Sequence, residues 1–403
     1  MSIARTPSPL TAHAVWKTQS RGAEASIPTT IEVARVVLVI GLVFLHYFAY
    51  PNSRISPFVG FDPDHHPFAT FVNSFVLLFF FSAVPLLSAI SGWLFFNLAQ
   101  HPMATMARRI RGRFWSLFLP LVFWNCATVV VGLMLYQVAP TSSLLGDFNI
   151  NFATAGAFDY VNAVLAFTGL PIAFQFWFIH DLFLTVLVSP LLFLVLRHAP
   201  LIGVIVLGGA WLLEFTFGIF IRTDVLFFFY LGGFARLRGV QLIISWPVAR
   251  LLLLAYALLM AGRALAPLFV DPTVPEQQYL LELATRMARP LGVLACWGLC
   301  LRLTASPLGA MIARYGGFAF FLHATHFPLI AFVKFALWRL VPVETDAWMI
   351  AHYVASVAAT IGISALAAMT IFRLSPALYA FLAGGRSFVE PVRTQLRPSP
   401  RML

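Results

Sequence analysis

A small set of ionisable side chains sits inside or beside long apolar runs: Glu32, Arg35, His46, His180, Asp181, Glu214, His323, His326, Lys334 and His352. Each costs a few kcal/mol at mid-bilayer, so each needs a physical reason. Arg35 and His46 share one run. At about 100° per residue, three turns bring them onto one helix stripe, roughly 16 Å apart along the axis. Glu32 lies one turn before Arg35 and can pair with it. The same residues also read as an interfacial anchor, with His46 as an interhelical hydrogen bonder.

His180 and Asp181 open a later run, at a depth similar to His46 and His352. A cluster of imidazoles with one carboxylate is the expected result. Neighbouring helix residues point about 100° apart, so His180 and Asp181 are not expected to face one point. Asp181 is placed instead to orient an imidazole on another helix, as a carboxylate does for a catalytic histidine. An interface dipeptide that snorkels is the alternative. His323 and His326 are one turn apart in a late run. They suit a proton relay, whereas metal binding lacks both an HExxH spacing and a third ligand. Lys334, on the same run, can reach outward. Cys126, Cys296 and Cys300 lie in apolar segments with no accompanying ligands and read as small apolar residues.

The elements that must hold these groups follow from composition. Of 403 residues, 60% are hydrophobic and only 10% charged. A soluble domain carries about 25% charged residues, so the solvent that suits this chain is a bilayer. Apolar runs recur at about 31–51, 70–98, 114–138, 177–197, 200–219, 224–240, 246–266, 283–304, 315–339 and 348–372. The expected fold is all-α: a polytopic transmembrane bundle of about ten helices with both termini cytoplasmic. The closely spaced pairs around Arg197–Pro200 and Phe220–Asp224 control that count.

With the N-terminus inside, eighteen of the 26 Lys and Arg residues fall in inner segments and six in outer ones. The six are Arg54, Arg222, Arg263, Arg286, Arg289 and Arg339. That bias obeys the positive-inside rule. Segment 139–176 has no Lys or Arg and reads as an outer loop. The net charge of +11 therefore reports orientation and gives no nucleic-acid signal. Residues 1–30 read as a flexible cytoplasmic tail without the apolar core of a cleavable signal peptide. Residues 31–373 form the transmembrane domain, and 374–403 a basic cytoplasmic tail near anionic headgroups. Residues 108–113 read Arg-Arg-Ile-Arg-Gly-Arg. This is a topology signal that could also bind phosphate by bidentate hydrogen bonds.

The motifs in this order resemble the bacterial integral-membrane type-3 acyltransferases, which move acyl groups onto extracytoplasmic sugars. "IEVARVVLVIGLVFLHYFAYP" carries that family's arginine and histidine ten residues apart, Arg35 and His46. "SAISGWLFF" is similar to its Ser-Gly stretch. Arg109 and Arg113 match two arginines that precede a proline-containing third helix. In "FWFIHDLFLTVLVSPLLF", Trp177 and Asp181 match, while His180 stands where the family often has arginine. In "FAFFLHATHFPLI", His326 and Pro328 fit the late helix, and His323 is additional.

The resemblance implies an acyl-CoA donor, commonly acetyl-CoA, and a carbohydrate hydroxyl as acceptor, in the bacterial inner membrane. His46 is the implied general base, Arg35 holds the donor or orders the site, and Arg109 and Arg113 meet the donor phosphates. Asp181 orients, and Trp177 or His326 supplies oxyanion donors. Trp177 and His180 contact substrate. No metal is implied. The acceptor glycan, the choice of acetyl or succinyl and the oligomeric state stay open. The rival function is a multi-pass exporter of a glycan or small solute, with intramembrane His and Asp coupled to protons.

Overall fold

The computed structural model describes residues 9–98, 101–271, 274–340 and 345–389, with side chains from Ile27 onward. Among these, every regular element is helical. The chain order is α1 (Pro9–Leu45), α2 (Pro67–Phe79), α3 (Ala83–Phe95), α4 (Pro102–Arg113), α5 (Leu119–Val138), α6 (Ala157–Leu165), α7 (Trp177–Leu187) and α8 (Ser189–His198). It continues with α9 (Pro200–Leu212), α10 (Asp224–Leu237), α11 (Trp246–Ala264), α12 (Pro275–Thr304), α13 (Pro307–Ala313), α14 (Phe318–Leu340), α15 (Asp346–Leu374) and α16 (Pro376–Leu382).

Among the described residues, six stretches are long and apolar enough to cross a membrane, or eight if the bent pairs α7–α8 and α12–α13 each form one span. The α7–α8 bend of 61° falls at Val188, just before Pro190, whose missing N–H cannot continue the ladder. Two of the ten expected crossings, α9 and α10, are only 13 and 14 residues long. Each rises about 20 Å, short of a hydrocarbon core of about 30 Å. The link between them is irregular, with Glu214 and Phe217 at positive φ. Because α9 and α10 come as a consecutive pair, counting both or neither leaves the sidedness of every flanking segment unchanged.

Lipid-facing surfaces are plainly apolar. On α11, Leu251, Leu254 and Leu258 are exposed at helical spacing, while Tyr256 and Met260 are buried. Inward faces use small residues to bring backbones together. A Cβ on Gly92 of α3 would meet Phe229 O at 1.9 Å, and one on Gly232 of α10 would meet Ala89 O at 1.9 Å. These reciprocal contacts fasten α3 to α10.

The ends differ from the expected tails. α1 is helical from Pro9, and its apolar crossing portion is Ile27–Leu45. α16 and residues up to 389 pack back on the bundle, whereas residues 1–8 and 390–403 lie outside the described residues. Arg263, Arg286 and Arg289, read from sequence as outer cations, are buried. Arg263 donates to Leu281 O, Val59 O, Phe58 O and Thr285 Oγ1, and Arg289 pairs with Asp224.

Candidate active site

His46 sits just past α1. Its backbone N–H still donates to Leu42 O at 2.9 Å, so it completes the helical ladder. Phe48, at a φ of 56°, then turns the chain away. Lys334 holds that turn, with Nζ 3.2 Å from both Tyr47 O and Ala49 O.

A second imidazole arrives from α14. Pro328 has no N–H, so the Ala324 carbonyl four residues earlier loses its helical donor. The helix breaks at Phe327, which has φ −115° and ψ 136°. Within a bilayer such a carbonyl must find another donor. Gln175 provides it: its Nε2 donates to Ala324 O and Phe327 O, each at 3.2 Å. The same contact draws the turn Phe174–Phe176 against the site, where Phe174 packs edge-on to His46 with centroids 4.9 Å apart.

His326 occupies the last turn before the break, with Nδ1 3.1 Å from Leu322 O. A carbonyl only accepts, so this contact places the proton on His326 Nδ1. In a neutral ring, Nε2 is then an acceptor. His46 Nδ1 lies 2.7 Å from it and therefore donates. His46 Nε2 is left with an open lone pair. The two rings are parallel within 6°, with centroids 5.0 Å apart. His326 thus does for His46 what a buried carboxylate does in other proton-transfer sites: it fixes tautomer and orientation.

His46 faces a cavity of about 380 Å³ at the bundle end that carries segment 139–176. Its wall includes Asp147, Trp177, Arg222, Arg289, His323 and Lys334. Burial pushes the Asp147 carboxyl above the usual carboxylate range, and the Lys334 charge opposes that. A narrower cavity of about 80 Å³ lies toward the opposite end, lined by Arg35, Ser91, Arg113 and Arg386 among apolar side chains. Phe178 and His323 belong to both walls. His323 is buried, and among the described residues neither of its ring nitrogens has a hydrogen-bond partner. An unpartnered imidazole therefore marks the junction of the two cavities.

The sequence reading is altered at four places. The imidazole cluster is His46, His326 and His323; His180 and His352 are not part of it. His352 instead contacts Tyr47 Oη at 2.9 Å and Lys334 O at 3.2 Å. His180 and Asp181 do meet, with Nδ1 and Oδ1 3.0 Å apart, because the flexible imidazole folds back across the one-residue step. Asp181 orients no imidazole on another helix. Its carboxylate accepts from the Ile221 and Arg222 backbone N–H groups at 3.0 and 2.7 Å, fixing the approach to α10.

Arg109 donates to the carbonyls of Leu94, Phe95 and Asn97, closing the C-terminal end of α3. Arg113, one turn on at the end of α4, is the arginine of the 108–113 run that faces the narrow cavity. Arg35 also faces it and pairs with Glu32. Trp177 lines the larger cavity, and the Arg222 guanidinium lies 5.1 Å from its ring centroid.

Sequence reasoning missed Gln175, although a proline inside a membrane helix signals an orphaned carbonyl that some polar side chain must serve. It also missed the Asp224–Arg289 pair, whose partners lie far apart in the chain. Among the described residues, no group of three or more His, Cys, Asp or Glu side chains is placed to hold a metal ion.

The described residues form a helical membrane bundle with a hydrogen-bonded imidazole pair beside the larger of two cavities and His323 on both walls. The chain belongs to the Acyltransferase domain family, whose model (Acyl_transf_3) matches residues 29–369. It is similar to the "Succinoglycan biosynthesis protein ExoH" of Rhizobium meliloti (strain 1021), at 26% identity over 376 residues. That alignment covers 92% of this chain and 96% of the relative. No solved structure matches.

Proposed function

We propose that this protein is an inner-membrane O-acyltransferase that moves an acyl group, acetyl foremost, from cytoplasmic acyl-CoA to a hydroxyl of an extracytoplasmic carbohydrate. The observation that carries the reading is the His46–His326 pair beside the larger cavity, whose wall shares His323 with the narrower cavity toward the opposite end. The positive-inside bias assigns the Arg113 end to the cytoplasm and segment 139–176 to the outside, with both termini cytoplasmic. Phosphates of the donor meet Arg35 and Arg113 at the end of α4, and the thioester reaches the junction near His323. The acceptor enters the larger cavity past Trp177. A relative named for succinoglycan biosynthesis supports a glycan as the acceptor.

In the reaction, His46 Nε2 takes the proton of the sugar hydroxyl as its oxygen adds to the thioester carbonyl. His326 keeps the Nδ1–H of His46 oriented and shares the developing charge. The tetrahedral intermediate then expels sulfur. His46 returns the proton to it, so that an O-acyl sugar and free CoA leave. Such base catalysis contributes typically about 10²–10⁴-fold.

Purified protein with radiolabelled acetyl-CoA and a cell-surface glycan tests the reading. Protein-dependent CoA release with label in the glycan is expected. Solute movement without CoA release would replace the reading with that of an exporter. Mass spectrometry of surface glycans from cells with and without the gene identifies the acceptor.

A further inference from the structure

The narrow cavity has a wall that the family match does not reach. That match ends at residue 369, yet Arg386 lines the cavity together with Arg35 and Arg113. The segment bearing Arg386 is tightly docked. Tyr379 of α16 is fully buried and stacks on Phe321 with centroids 5.4 Å apart. Trp124 Nε1 donates to Leu382 O at 3.1 Å. Gly384 and Gly385, at φ 65° and 83°, then reverse the chain. That reversal needs glycine, both for its backbone angles and because a Cβ on Gly384 would meet Ser116 O at 2.4 Å. Past the turn, Ser387 O lies against Gly317, and the Arg386 guanidinium sits 5.0 Å from the Phe320 ring centroid.

The charges around this cavity are unbalanced. Among the described residues, three guanidiniums and no carboxylate line it, and Glu32 pairs with Arg35. Among the described residues, Arg113 has no carboxylate within ion-pair distance, and Arg386 donates only to Ala383 O, at 3.1 Å. Burial, with the Arg35 and Arg113 charges beside it, pushes the Arg386 guanidinium down to about 9. Such an assembly is stabilised by an anion, and guanidinium forks match phosphate best. Arg113 also lines an open groove of about 330 Å³ at the same end, within the size range of small-molecule sites. The groove and the narrow cavity share Leu94 and Arg113, and the wall of the narrow cavity extends to His323.

We infer that Arg386, delivered by the docked C-terminal segment, is a donor-binding residue that completes a three-arginine site for the phosphates of acyl-CoA. The inference rests on the donor proposed above. Its test compares two donors on the full-length protein: acetyl-CoA and a phosphate-free thioester, S-acetyl-N-acetylcysteamine. In Arg386→Ala, and in the better-packed Arg386→Gln, KM for acetyl-CoA should rise. The kcat/KM ratio of acetyl-CoA to the phosphate-free donor should fall on the order of 10- to 100-fold, as for a lost charge-assisted hydrogen bond.

An unchanged ratio in well-folded variants would overturn the inference and leave acyl-CoA as donor. Parallel losses with both donors would also overturn it by making Arg386 structural. If anionic lipid relieved those losses, the cavity would belong to a lipid phosphate. A wild-type protein that uses neither donor would overturn the acyl-transfer proposal itself.

Discussion

A His46→Gln variant should fold normally and fail to turn over. The glutamine amide N–H can donate to His326 Nε2 much as His46 Nδ1 does at 2.7 Å. That retained bond is worth about 0.5–1.5 kcal/mol, so melting in detergent should shift by no more than such an amount. An amide cannot accept a proton near neutral pH. The lost base step should lower kcat by about 10²–10⁴-fold, equivalent to roughly 3–5 kcal/mol of barrier. His326→Leu leaves His46 Nδ1–H without its acceptor, so the open lone pair is no longer held on Nε2. Its kcat should fall at least about 10-fold.

Because the two rings act as one unit, the double variant should be no worse than His46→Gln alone within about 3-fold. The assay is CoA release from labelled acetyl-CoA, with protein matched by folded yield. His46→Gln turnover within 10-fold of wild type would refute the reasoning and move the base to His323. Strict additivity in the double variant would refute the relay while leaving His46 as the base.

Other outcomes follow from the same contacts. Arg113→Ala should raise KM for acetyl-CoA with little change in melting, whereas Arg109→Ala should mainly destabilise, by about 1–3 kcal/mol, through the orphaned α3 carbonyls. Detergent melts and donor titrations of both variants separate the two roles. Gln175→Leu removes the only side-chain donor to Ala324 O and Phe327 O among the described residues. It should cost about 1–3 kcal/mol and lower kcat by loosening Phe174 against His46; equal stability and activity would dismiss that strut. Reporters fused after Leu403 and after Arg113 should report the same side of the membrane, and one within 139–176 the other; any other pattern breaks the proposed orientation.

Much was readable in one dimension. Hydropathy alone identifies a membrane bundle, because about 20 apolar residues in a row leave no other solvent. The spacing of Arg35 and His46 follows from helix pitch, and their assignment to different cavities agrees with it. His326 could be named as a candidate from its position before Pro328. The partner of each polar group could not be read this way. Whether His46 meets His180, His352 or His326 depends on how α1, α7, α14 and α15 cross, and helix crossings depend on packing that no periodicity records.

Short-range geometry misled at His180 and Asp181, where side-chain torsions overcame the 100° step between neighbours. The expected tail covers 374–403, and its stretch 376–389 packs on the bundle through contacts that composition does not record. That stretch holds one basic residue, Arg386, and its Tyr379 and Phe388 find aromatic partners on α14 and α15. The solvent, the class of element and the identities of the reactive groups are legible in one dimension, since these depend on local hydropathy and side-chain chemistry. The tautomer of His46, the freedom of His323 and the company of Arg386 emerge from the packing of the helices. Each depends on which donors and acceptors distant helices bring within about 3 Å, where hydrogen bonding acts.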